Sequence, residues 1–357
     1  MVQLPPEIYS AIASYLATRD LLTLSRTTKA LQRAAEPRIY ECVVLRDAEA
    51  ALVGCHSLML RDGLRALLVK RFILYQDPRR TNARTSLGTA PAQFWLTVQV
   101  ALTMTVNLES LIIHDPLVAH SWVLDHEDIR FQLREANLRL PWDAHMVAFL
   151  EKQHKLQVLN TCDSNEDGPP CPLPPAALGA LVTYSGPVLV VAELLGCPLA
   201  RLQVVLDDDT APILPTVVAD LTKIMKGLRS LSVMGMPVQL LMETLQLVST
   251  AVFAPKLRYL GVLPLPSCEW DVIHRCLMDL PALEVIEFDI SRWEAQVPEW
   301  MLRAVLLDFR IYAPALQQVI FWIGQTRINW YMTHEGEWQH VRHMGRAPGS
   351  DVLWRTL

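Results

Sequence analysis

Apolar residues near the start of the chain recur at helical intervals. Ile8, Ile12, Tyr15 and Leu16 follow one another at spacings of four, three and one, which sets them on one stripe of a helix. Pro5 and Pro6 suit its first turn, where a missing N–H has no helical partner to lose, and Glu7 sits at the positive end of the dipole. Asp20 is placed to cap a second short helix carrying Leu21, Leu22 and Leu24. A third helix is expected from about Thr28 to Ala35, ending before Pro37, whose ring disfavours helix in the residue ahead of it. A block of roughly 40 residues is marginal on its own. Its stripe therefore either packs on the rest of the chain or serves as a partner surface.

Beyond this block the pattern changes to Leu-x-x-apolar-x-apolar, an alternation suited to strands. Copies begin at Leu64, Leu108, Leu199, Leu228, Leu257, Leu283 and Leu316, with weaker ones near Leu133, Leu156 and Leu178. After the first gap the starts are about 20 to 33 residues apart, the range of leucine-rich repeats. Between them, Trp142 to Gln153, Ile213 to Lys226, Val238 to Ser249, Trp270 to Leu280 and Trp300 to Ile311 carry apolar residues at helical spacing. Units of this kind cannot bury a core singly and must stack. A regular repeat of this class places Asn or Cys two residues after the strand; here Pro116, Met236, Leu265 and Ser291 stand there, so the repeats are irregular. The expected fold is α/β: a small three-helix module over residues 1–46, an irregular leucine-rich-repeat-like solenoid over 47–326, and a hairpin cap and tail over 327–357. The hairpin is expected from Arg327 to His343 around His334-Glu335-Gly336-Glu337.

Leu4-Pro5, Glu7-Ile8, Ile12, Leu16, Asp20-Leu21-Leu22, Leu24-Ser25, Lys29, Leu31, Pro37 and Ile39-Tyr40 fall in the order and spacing of the F-box, which the block resembles. The aromatic often found in the third helix of that family is Leu31 here. The resemblance implies docking on the Skp-type adaptor of a cullin-RING ubiquitin ligase, with Leu4, Pro5, Ile8, Ile12, Leu16, Leu21 and Leu22 as contacts. Tyr40, Val43 and Leu45, the segment Phe149 to Gln153, Ser185-Gly186-Pro187 and the Trp-rich hairpin extend the likeness to the F-box and leucine-rich-repeat-like proteins abundant in fungi. The expected role is substrate receptor: adaptor, and through it a cullin scaffold, at one end, and an unnamed protein target on the repeats. Trp270 and Trp293 are candidate target contacts, since exposed aromatics anchor interfaces, although Trp is also a common core residue. The alternative is an interaction scaffold whose helical block packs on its own repeats and engages no ligase.

Composition narrows the chemistry. Hydrophobic residues make up 51% of the 357 and mean hydropathy is +0.22. The charge-free run Thr85 to Leu108 nonetheless contains Pro91, Gln99 and Asn107, and Phe94, Trp95, Val98 and Leu102 share one face, so buried helix is expected rather than a membrane span. No basic stretch followed by an apolar core opens the chain, and no secretory signal is expected. A net charge of −5 offers no footprint for nucleic acid. Seven cysteines without a CxxC pair read as reduced thiols, in keeping with a cytoplasmic or nuclear location.

No catalytic constellation emerges, and neither metal nor cofactor is expected. Asp163 to Pro174 begins like a calcium loop but has proline where the bidentate Glu belongs. His340 and His343 fall on opposite faces of a strand, which disfavours shared ligation with His334. Asp207-Asp208-Asp209 suits a strand-terminal turn. No GxSxG or HExxH motif occurs, so the chain is not expected to be an enzyme.

Overall fold

In the computed structural model, residues 5–79, 86–163, 171–174, 177–267, 270–293, 297–345 and 353–357 are described. Helix α1 (Pro6–Ser14) starts on Pro5, with Pro6 in its first turn. Helix α2 (Thr18–Leu24) begins earlier than expected, with Ala17 at its N-cap; Asp20 lies in the first turn, where its charge meets the dipole. Helix α3 (Lys29–Glu41) is capped by Thr28, whose hydroxyl accepts the Leu31 N–H at 3.2 Å. Ala13, Leu21 and Ala35 form the centre of the three, with Leu16, Ala34 and Ile39 packed around them.

The third helix does not stop at Pro37, which lies inside it. Proline there forfeits one helical hydrogen bond and crowds the preceding turn. Contacts outside the helix hold that turn instead. Glu36 pairs with Arg65 at 3.2 Å, the Arg65 guanidinium lies 5.1 Å from the Tyr40 ring centroid, and the Tyr40 hydroxyl shares a 3.0 Å hydrogen bond with Ser57. Glu41 meets Lys70 at 3.1 Å. The chain then passes without a linker into β1 (Cys42–Leu45).

The chain divides into two compact units, Met1–Leu178 and Gly179–Leu357. In the first, α4 (Ala48–Met59), β2 (Arg71–Leu74), α5 (Ala92–Met104), β3 (Ser110–His114), β4 (Glu135–Arg139), α6 (Ala144–Glu151) and β5 (Val158–Thr161) follow β1. Strands β1 to β5 pair in chain order, all parallel. The second unit runs β6 (Thr183–Pro187), α7 (Val188–Glu193), β7 (Arg201–Val205), α8 (Leu214–Ile224), β8 (Ser230–Met234), α9 (Leu241–Ser249), β9 (Tyr259–Pro264), α10 (Trp270–Met278), β10 (Val285–Asp289), α11 (Glu299–Tyr312) and β11 (Gln318–Ile323). Its strands β6 to β11 are again parallel and in chain order. The expected hairpin follows as β12 (Thr326–Met332) and β13 (Trp338–Met344), antiparallel to β11 and to each other. A last turn of helix, α12 (Leu353–Thr356), had no counterpart among the expected elements.

One backbone device recurs at the strand entries. The carbonyl of Lys70 accepts from the N–H groups of both Glu109 and Ser110, at 2.8 and 3.0 Å, and that of Glu109 accepts from Arg134 and Glu135. In the second unit the carbonyls of Ala200, Arg229, Arg258 and Glu284 each take the corresponding pair from the next strand. These residues stand immediately before their strands. Their side chains add rungs at the same level: Glu41 to Lys70, Glu109 to Arg134 at 3.7 Å, and Arg258 to Glu284 at 2.6 Å. At the far ends, Leu206, Leu265 and Ile290 donate backbone N–H groups to the carbonyls of Met234, Asp289 and Trp322. Main chain thus serves where a regular repeat would use an Asn side chain.

The pattern beginning at Leu64 is out of place. Ala66–Leu68 is a single 3-10 turn, and the strand is Arg71–Leu74, held by its register with Ser110 to Ile113. Both segments fit the same sequence template, and pairing selects between them. In β9 an extra residue opposes β10 near Glu287, and glycine is required there: a Cβ on Gly261 would lie 2.6 Å from the Glu287 Cβ. Among the described residues no helix is long and apolar enough to cross a membrane.

Candidate adaptor-binding surface

Helices α1 and α2 both pack on α3, and α3 is the element braced to Arg65, Ser57 and Lys70. The side of the module away from that brace keeps an apolar surface open. Ile8 is 45% exposed, Ile12 39% and Leu22 44%, and Pro5 is exposed beside them. Tyr15, which belongs to the same sequence stripe but was not among the expected contacts, is 90% exposed. Leu16 is half-buried against the module core. Leu21 does not stand on this surface. It is 4% exposed at the centre of the three helices, because the inner face of α2 turns it toward α1 and α3. Leu22, one residue on and about 100° further round the helix, faces outward. Leu4 lies outside the described residues.

Residues 1–46 match the model of the F-box-like family. The chain carries an F-box-like domain. No curated protein matches the chain. The matched residues run through α3 and the whole of β1, so the F-box-like domain includes the first strand of the first unit's sheet. The Arg65 brace comes from outside the domain, and no spacing within residues 1–46 could have announced it. Beside it, a groove of about 1010 Å³ lined by Ile39, Tyr40, Val43, Val44, Ala50 and Val53 borders β1, the strand at one end of the first unit's order.

The two candidate target contacts are placed differently. Trp270 opens α10, stacks on Phe309 at 5.7 Å and lies 6.2 Å from Trp293. The Trp293 indole donates to the Leu265 carbonyl at 2.7 Å. Both are half-buried and tie α10 and the loop after β10 to α11. Trp270 still lines a shallow groove of about 510 Å³ with Met301, Leu307, Asp308 and Ile311. His274 completes the cluster, stacked on Tyr312 at 4.2 Å and 2.8 Å from Asp308.

The other polar constellations have structural work. Asp207 accepts from the backbone and hydroxyl of Thr210 at 2.8 and 2.7 Å, a turn that holds its carboxyl below the usual value. Asp163 accepts the Trp142 N–H at 2.7 Å, while residues 164–170 of the calcium-loop-like stretch lie outside those described. The His340 ring lies 4.5 Å from that of Trp330, tilted by 33°. Cys55 is fully buried, and burial pushes its thiol up to about 12.

Proposed function

We propose that the chain is the substrate-recognition subunit of a cullin-RING ubiquitin ligase, with the F-box-like domain engaging a Skp-type adaptor and the leucine-rich-repeat-like body engaging a protein target. The observation that carries this reading is the open apolar surface of Pro5, Ile8, Ile12 and Leu22, left uncovered while α3 is braced to the first unit. A block serving only to cap its own repeats would turn that stripe inward. Its contribution would be proximity, bringing target and ligase together rather than making or breaking bonds itself. On this reading the chain is not an enzyme and holds no cofactor. On the same reading it works in the cytoplasm or nucleus, where cysteines stay reduced.

Co-purification with a Skp-type adaptor tests it. Ile12→Glu places a charge on the open surface and spares the Ala13, Leu21, Ala35 centre. Adaptor recovery is expected to fall at least tenfold with folding unchanged. Equal recovery of wild type and variant would sink the assigned surface, and no recovery of wild type would sink the receptor role.

A further inference from the structure

The sheet of the second unit has two faces of different character. Phe288 meets Phe309 of α11 at 5.2 Å, so Ile286 and Phe288 point to the helices, and by alternation Val285 and Glu287 point away from them. Tyr259 pairs with Val285, and Glu287 with Ile320, which aligns Tyr259, Val285, Ile320 and Trp322 along the face without helices. This apolar row is covered by the end of the chain. Trp354 of α12 is 2% exposed among Tyr259, Val262, Val285, Ile320 and Trp322, and Leu353 and Leu357 pack at its margin with Met234. The short helix itself lies against β7 and β8.

Polar groups mark the same floor. Glu287 is fully buried, and one of its carboxylate oxygens accepts from the Trp322 indole N–H at 2.8 Å. Arg327 lies 5.8 Å from the centroid of the Trp322 ring, and Arg355 lies 5.0 Å from that of Trp354. The seated segment is therefore an aromatic side chain followed directly by a cation, flanked by two leucines. One turn of helix has no stability of its own and stays folded only through what it touches. Here the fully enclosed Trp354 indole is the centre of that contact, with Leu353 and Leu357 beside it.

We propose that the helix-free face of β9–β11 is a peptide-docking surface, held closed by the chain's own residues 353–357. It takes in their place a target segment of the same chemistry, an aromatic anchor flanked by aliphatic side chains. The proposal rests on the receptor reading only for the role of that segment as a ligase target; the occupied face stands on its own contacts.

The test uses the full chain, the chain ending at residue 352, and full-length Trp354→Ala, with a fluorophore-labelled peptide of residues 349–357 as probe. Fluorescence anisotropy is expected to show the shortened chain binding the peptide at least tenfold more tightly than the intact chain does, with Trp354→Ala intermediate. A peptide with Ala for its Trp should lose at least tenfold on the shortened chain. Equal binding by intact and shortened chains would overturn the proposal, as would absence of binding by a shortened chain that keeps its near-ultraviolet circular dichroism. Loss of folding in both altered chains would overturn it too, by making the tail fixed core. Adaptor recovery through Ile12 is measured separately. Peptide binding lost with recovery intact sinks this inference alone, and the reverse result sinks only the receptor role.

Discussion

Two apolar surfaces of this chain differ in what the chain does with them. The stripe of Pro5, Ile8, Ile12 and Leu22 on the F-box-like domain is left in water, over a core of little more than Ala13, Leu21 and Ala35. The row of Tyr259, Val285, Ile320 and Trp322 is shut beneath Trp354. A bare surface on a small module points to a standing partner, since apolar patches are costly to leave open without use. A surface closed by one short turn of helix points to occupancy that can change.

The sharpest test of this contrast is truncation on the closed side. Trp322→Ala removes a fully buried indole and the donor to Glu287, and should cost about 3–5 kcal/mol, read as a fall in the unfolding temperature. In the core beneath the open stripe, Leu21→Ala should cost about 2–3 kcal/mol, confined to the module and read as loss of hydrogen-exchange protection over α1 to α3. Gly261→Ala should cost about 1–3 kcal/mol, because the new methyl meets the Glu287 side chain 2.6 Å away; chemical denaturation measures it. Ile12→Ala should change stability by less than about 0.5 kcal/mol while reducing adaptor recovery. A cost near that of Leu21→Ala would mean that the stripe is not open at all.

The smallest effect is electrostatic. The hydrogen bond from Lys70 holds the Glu41 carboxyl below its ordinary 4.5. A carboxyl lowered by folding contributes stability above its unfolded value, and that contribution disappears as pH falls through the folded one. Lys70→Gln should therefore narrow the difference in unfolding temperature between pH 6 and pH 3 only slightly, because the pair is largely exposed.

Much of this architecture can be read from residue order. The Leu-x-x-apolar-x-apolar copies at Leu108, Leu199, Leu228, Leu257, Leu283 and Leu316 all lead into strands, because alternation is a local property. The copy at Leu64 fails where two overlapping templates compete and strand pairing decides. The helix through Pro37 was hidden for a related reason: Arg65, Ser57 and Lys70 lie 20 to 33 residues beyond it and nothing near Pro37 signals them. On the candidate surface, periodicity found the stripe but could not separate Leu21 from Leu22, since neighbours on a helix differ only in which side the other helices occupy. The closing role of Trp354 was invisible, because four residues carry no period.

The unbroken course of α3 into β1 makes that helix a crankshaft between the two ends of its unit. Each residue of an α-helix adds about 100° of turn and 1.5 Å of length. A single alanine inserted near Ala30 would displace the start of α3 by one such step relative to Ala35 and Ile39, which stay with the Glu36 and Tyr40 braces. Helices α1 and α2 pack around Ala35 and Ile39, so they would stay with the sheet while the link from α2 into α3 is displaced. One helix thus carries both the packing of the module and its hold on the sheet.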